Sequence, residues 1–280
     1  MDAAPGAVAD FAALGRGGRA AWWRYLAGFV FIVGGFVLLG ALIFGFGPDL
    51  DAVAGDPWLA QYLALNVPFL PLIPLILLVV WAWHGRSPRS IATAAPRFGW
   101  GRAAIAFAAC GAPLLAVSLL VGDDTAPADN GAAWMLRILP FLVLFTPIQA
   151  AAEEILFRGY LLQATASFTR SRMVILAVNA ALFAAVHGIN PEALANPVAA
   201  LLGFAIWGAG LAWIALRDRG LELVIGAHVA NNLVSFAVAG YLRLPFDARA
   251  EHYEPLVHYA SSIGILIILA AIIALRPRRD

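Results

Sequence analysis

The sequence predicts an all-α fold: a polytopic bundle of about eight membrane-spanning helices with a polar site inside it. Three observations carry this. Of the 280 residues, 62% are hydrophobic and only 12% charged, against ~25% charged in an ordinary soluble domain. The apolar residues gather into eight stretches near the ~20 residues needed to cross a bilayer. The arginines fall almost entirely on one side of the array that these stretches make.

The stretches run approximately 23–46, 58–83, 101–121, 133–164, 172–190, 196–216, 222–242 and 256–276. Short breaks rich in Gly, Pro, Asp or Arg divide them. Residues 1–20 read as a disordered cytoplasmic tail, and residues 21–280 as a single transmembrane domain. The first stretch exceeds the ~7–15 apolar residues of a cleavable signal, so it reads as a retained anchor. Pro68, Pro71 and Pro74 predict a bent or broken second helix. The fourth stretch is too long for a simple span, so its end is expected to project into the interface.

Eight alternating helices put 14 arginines at one end of the bundle: Arg16, Arg19, Arg24, Arg86, Arg89, Arg97, Arg102, Arg170, Arg172, Arg217, Arg219, Arg276, Arg278 and Arg279. The opposite loops carry Asp49, Asp51, Asp56, Asp123, Asp124, Asp129 and Glu192, with only Arg243 and Arg249 among them. The positive-inside rule makes both termini cytoplasmic. All 18 basic residues are Arg, which with the abundant Ala, Gly and Pro suggests a GC-rich, bacterial genome and hence a bacterial cytoplasmic membrane. The net charge of +1 gives no support for a nucleic-acid partner. The lone Cys110 excludes an intrachain disulfide and a Cys-rich metal site.

Ionisable residues inside a span cost about 2.5–3.5 kcal/mol each unless they pair or face water. The segment Ala151–Arg158, AAEEILFR, holds three of them. Glu154 and Arg158 are four apart and share a helix face, so they are expected to pair. Glu153 points about 100° away from Glu154 and is left chemically available. His187 closes the run RMVILAVNAALFAAVH, and His228 shares a face with Asn232 in LVIGAHVANNLV. Glu153 lies 16 residues before the turn at Thr169 and His187 lies 18 after it. At 1.5 Å per residue both sit roughly 24–27 Å along their helices from that turn, hence level with one another. His228 is closer to its own loop at Arg219, and fits this depth only approximately. His84, His252 and His258 read as solvated bystanders.

A carboxylate and an imidazole together polarise a water for attack on a carbonyl, while a second imidazole and a carboxamide donate to the oxyanion that forms. Glu153, His187, His228 and Asn232 thus make an amide-hydrolysis set without Ser or Cys. Glu153, His187 and His228 equally make a His₂Glu zinc set with an open position, although the chain has no HExxH. A proton-coupled transporter is a further reading of buried Glu and His, opposed by the lack of paired interrupted helices in corresponding halves.

Three motifs in order, Glu153-Glu154-Ile-Leu-Phe-Arg158, Phe183-Ala-Ala-Val-His187 and His228-Val-Ala-Asn231-Asn232, with the continuation Phe157–Gln163, resemble the CAAX-processing and bacteriocin-immunity (CPBP/ABI) intramembrane proteases, relatives of the Ras-converting endopeptidase. The resemblance covers roughly residues 134–240. It implies an intramembrane endopeptidase of CAAX type, acting on a membrane-associated or lipidated peptide or protein reached through the bilayer or a cytoplasmic cavity. It implies that Glu153 and His187 activate the water, that His228 and Asn232 form the oxyanion site, and that Glu154 and Arg158 support the first helix. The implied mechanism is glutamic and cofactor-free; the alternative is one zinc held by Glu153, His187 and His228. Family members that act in immunity or as membrane scaffolds imply a non-catalytic alternative. Bacteria generally lack protein prenylation, so the natural substrate is open.

Overall fold

The computed structural model describes residues 10–120, 131–244 and 253–275. Among the described residues eight helices are long and apolar enough to cross a membrane: α1 (Trp22–Phe46), α2 (Pro57–Trp83), α3 (Trp100–Leu120), α4 (Gly131–Phe168), α5 (Arg172–Ile189), α6 (Pro197–Asp218), α7 (Glu222–Tyr241) and α8 (Pro255–Ala274). The chain is an integral membrane protein with no strands among the described residues. Lipid-facing positions are apolar and open, as at Val30, Phe31 and Leu38 of α1. The α3–α7 pair packs along the greatest extent, with α4 also against α7 and with α5 and α8 against α6. Gly226 permits the α3–α7 approach, since a Cβ there would lie 2.9 Å from the Ala103 carbonyl carbon.

The prolines act as expected on α2, which breaks at the 3-10 turn Val67–Phe69 and ends in a π turn, Val79–Trp83. α4 is 38 residues long, ~57 Å at 1.5 Å per residue, against ~30 Å of hydrocarbon. Directly after Glu153 and Glu154 it converts to a π-helix, Ile155–Leu161, a feature that sequence did not signal and that often marks functional positions. Of the stretch 1–20 expected to be a disordered tail, residues 1–9 lie outside the described residues and the following ones pack on the bundle. Phe11 is fully buried and Ala12–Arg16 forms a 3-10 helix packed on the last turns of α4. Apolar burial and the Tyr25 hydroxyl bond to the Gly15 carbonyl (2.5 Å) hold it there. Of the charges read as loop residues, Asp123, Asp124, Asp129, Arg249, Arg276, Arg278 and Arg279 lie outside the described residues, as does His252.

The loop between α2 and α3 explains the depth of His228. Leu221 N–H donates to the Ala92 carbonyl (2.8 Å) and Ala94 N–H to the Arg219 carbonyl (3.0 Å), so the α6–α7 turn is capped by this loop. The same loop presses on the middle of α4, where a Cβ on Gly159 would stand 2.7 Å from the Ile91 oxygen. The α6–α7 turn is therefore level with Gly159 rather than with Thr169. From that level, Glu153 is six residues up α4 and His228 eight residues up α7 from Gly220, ~9 and ~12 Å.

Candidate active site

Glu153, His187 and His228 meet. Glu153 Oε2 faces His228 Nε2 at 3.8 Å and His187 Nε2 at 4.0 Å. All three come from the middle of the bundle, beside Phe204 and Trp207 of α6, which lie seven and ten residues after Pro197 in a 22-residue helix.

Each imidazole has its tautomer set by its other nitrogen. His187 follows the α-helical part of α5, and its Nδ1 lies 2.7 Å from the Phe183 carbonyl, which can only accept. His187 therefore carries its proton on Nδ1 and turns Nε2 to Glu153. Its ring is held between Phe183 (4.3 Å) and Phe204 (4.4 Å). His228 Nδ1 donates to Glu154 Oε1 at 2.6 Å, and its ring stands edge-on to Trp207. Glu154 Oε1 also accepts from Arg158 Nη1 at 2.9 Å, with both side chains fully buried. Arg158 in turn lies 4.2 Å over the Phe183 ring. The expected Glu154–Arg158 pair is present, but it is not apart from the histidines: one carboxylate oxygen ties the guanidinium and the His228 imidazole together.

Glu153 is not free of partners either. Gln149, one turn earlier on α4, donates from Nε2 to Glu153 Oε1. Gln149 Oε1 accepts from Asn232 Nδ2 (2.9 Å), and Asn232 Oδ1 accepts from Asn231 Nδ2 (3.0 Å). Asn232 thus joins the cluster through Gln149. Sequence reasoning passed over Gln149, although its i, i+4 spacing to Glu153 is the signal that found Glu154–Arg158. It also passed over Asn179, whose Nδ2 donates to the Phe157 carbonyl (2.6 Å) inside the π segment.

Two residues read as bystanders are built into the protein. His258 is half-buried on α8, its ring 5.4 Å from Phe204, because close helix packing leaves only a glycine, Gly203, beside it. His84 is fully buried at the arginine-bearing end, with Nδ1 3.0 Å from the Arg19 carbonyl and Nε2 3.0 Å from the Tyr160 hydroxyl. Burial, with Arg86 and Arg24 nearby, holds its pKa below the usual histidine value. Glu192, read as an outer-loop acid, is buried and accepts from Asn190 Nδ2 (3.1 Å). Among the described residues no group of three or more His, Cys, Asp or Glu meets the geometry of a metal site.

The fold and site define a class: a multi-span membrane protein with a Glu/His/His cluster walled by aromatic rings at mid-bundle. Residues 133–234, the segment that holds every residue of the cluster, match the family described as type II CAAX prenyl endopeptidase Rce1-like. The uncharacterized protein YyaK of Bacillus subtilis (strain 168) is 30% identical over 227 residues, covering 75% of this chain and 76% of the relative. The chain belongs to this Rce1-like family. No solved structure matches it.

Proposed function

We propose that this protein is an intramembrane endopeptidase of the CAAX-processing type, hydrolysing a peptide bond of a membrane-associated or lipidated substrate with a water activated at Glu153. One observation carries the reading: three proton acceptors, Glu153 Oε2 and the Nε2 atoms of two imidazoles, converge within 4.0 Å with their other polar atoms already engaged. Unbridged acceptors repel one another. A water oxygen ~2.8 Å from each of two atoms 4.0 Å apart subtends about 90°, close to the angle of its own two O–H bonds. The water oxygen attacks the carbonyl carbon as its proton passes to Glu153, with His187 beside it. The oxyanion then accepts from Asn232 Nδ2, and His228 completes that site beside it. Glu154, itself bonded to Arg158, orients the His228 ring through Nδ1. Glu153 returns the proton to the departing amine nitrogen as the C–N bond breaks, leaving a carboxylic acid and an amine. No step of this scheme requires a cofactor.

The arginine distribution supports both termini on the cytoplasmic side, the Bacillus relative supports a bacterial membrane, and the family match over residues 133–234 supports residues of about 134–240 as the catalytic core. The test is incubation of the purified protein with prenylated and unprenylated C-terminal peptides, read by mass spectrometry. Cleavage at one bond near the C-terminus is expected. A well-folded sample that cuts no peptide or membrane substrate moves the protein to a scaffold or immunity role.

A further inference from the structure

A second site lies at the arginine-bearing end, away from the Glu153 cluster. The Ala12–Arg16 3-10 helix, the α4–α5 turn and the side of α6 enclose a pocket of about 230 Å³ lined by Asp10, Arg16, Arg170, Arg172, Ile175 and Leu216. Three guanidinium groups from two distant chain segments share it with one carboxylate, and Asp10 is engaged by the Ala12 N–H (3.2 Å). Arg16 spends one nitrogen on the Thr169 carbonyl (3.2 Å), and none of the three arginines is ion-paired among the described residues. Like charges held together around a concavity favour an anion, and the guanidinium fork matches phosphate oxygens. The place is the membrane surface: Arg172 opens the span of α5, and the adjoining Phe168 and Met173 are exposed apolar side chains. We propose that this pocket binds the phosphate of an anionic phospholipid headgroup, with its acyl chains along Phe168 and Met173.

Binding there joins the N-terminal 3-10 helix to the α4–α5 hairpin that carries Glu153 and His187, so the lipid stabilises the fold as well as occupying it. The inference does not depend on the proposed hydrolysis, and its test reads no turnover. Full-length protein in mild detergent is titrated with phosphatidylglycerol, phosphatidylcholine or inorganic phosphate, followed by native mass spectrometry and thermal unfolding. The expected result is phosphatidylglycerol bound at least tenfold more tightly than phosphatidylcholine, displaced by inorganic phosphate and by high salt. Arg170→Gln alone and Arg170→Gln/Arg172→Gln together weaken that binding and abolish the thermal shift. Arg97→Gln, an exposed arginine at the same end outside the pocket, changes neither. Equal binding of the two lipids overturns the proposal, as does loss in Arg97→Gln equal to that in the pocket variants. Binding of inorganic phosphate without phosphatidylglycerol assigns the pocket to a soluble anion and overturns the lipid.

Discussion

Adjacent glutamates should separate stability from chemistry. Glu154 and Arg158 are fully buried at 2.9 Å, and the same Glu154 oxygen holds His228 at 2.6 Å. Glu154→Gln keeps the shape but removes the charge, leaving a buried guanidinium uncompensated. Breaking a buried pair from one side costs about 3–5 kcal/mol, a fall in unfolding temperature of roughly 6–20 °C on the scaling for soluble domains. Among the described residues Glu153 forms no ion pair with an arginine, and its side chain is 11% exposed. A carboxamide at 153 can still accept from Gln149, so Glu153→Gln should cost no more than about 1 kcal/mol. The assay is intrinsic-fluorescence thermal unfolding in detergent, for which the nine tryptophans provide signal and Trp207 touches His228. Glu154→Gln unfolding within 2 °C of the parent, or Glu153→Gln falling as far as Glu154→Gln, would refute the reasoning.

Gly226→Ala should drive a methyl group into the Ala103 backbone and separate α3 from α7, costing about 1–3 kcal/mol in a denaturant titration. Asn232→Ala should lower kcat by about 10²–10³ with little change in unfolding temperature, as loss of one oxyanion donor does; an unchanged kcat would remove Asn232 from that role. The pKa of buried His84 is lowered on folding, so the unfolded chain binds its proton more readily. Stability should therefore be full above the unperturbed value of about 6.5 and fall as pH drops below it. Unfolding temperatures measured from pH 7.5 to 5 should show a shallower fall for His84→Gln than for the parent.

The spans were legible because lipid demands continuous apolar sequence, and all eight expected stretches correspond to helices. The level placement of Glu153 and His187 was legible too, because a tight hairpin fixes depth by residue count alone. The count failed for His228, since it assumed that both arginine-bearing turns lie in one plane. The α2–α3 loop lifts the α6–α7 turn through tertiary hydrogen bonds at Ala92 and Ala94 that no local pattern records. Burial of His84, Glu192 and His258 was invisible for a similar reason. Each sits at or near a helix end, where sequence suggests solvent, and each is covered by a segment distant in the chain. The dual role of Glu154 was half visible: helical spacing gave Arg158, but the bond to His228 comes from α7. The π segment left no mark in composition.

The most direct measurement is cleavage of one accepted peptide by the parent protein and by Glu153→Gln, each with and without a strong chelator, followed by mass spectrometry of both product ends. The expected result is a parent rate unaffected by chelator and a rate at least about 10³-fold lower in a Glu153→Gln sample of parental stability. Activity abolished by chelator and restored by zinc, or full activity in Glu153→Gln, would contradict a water activated by that carboxylate.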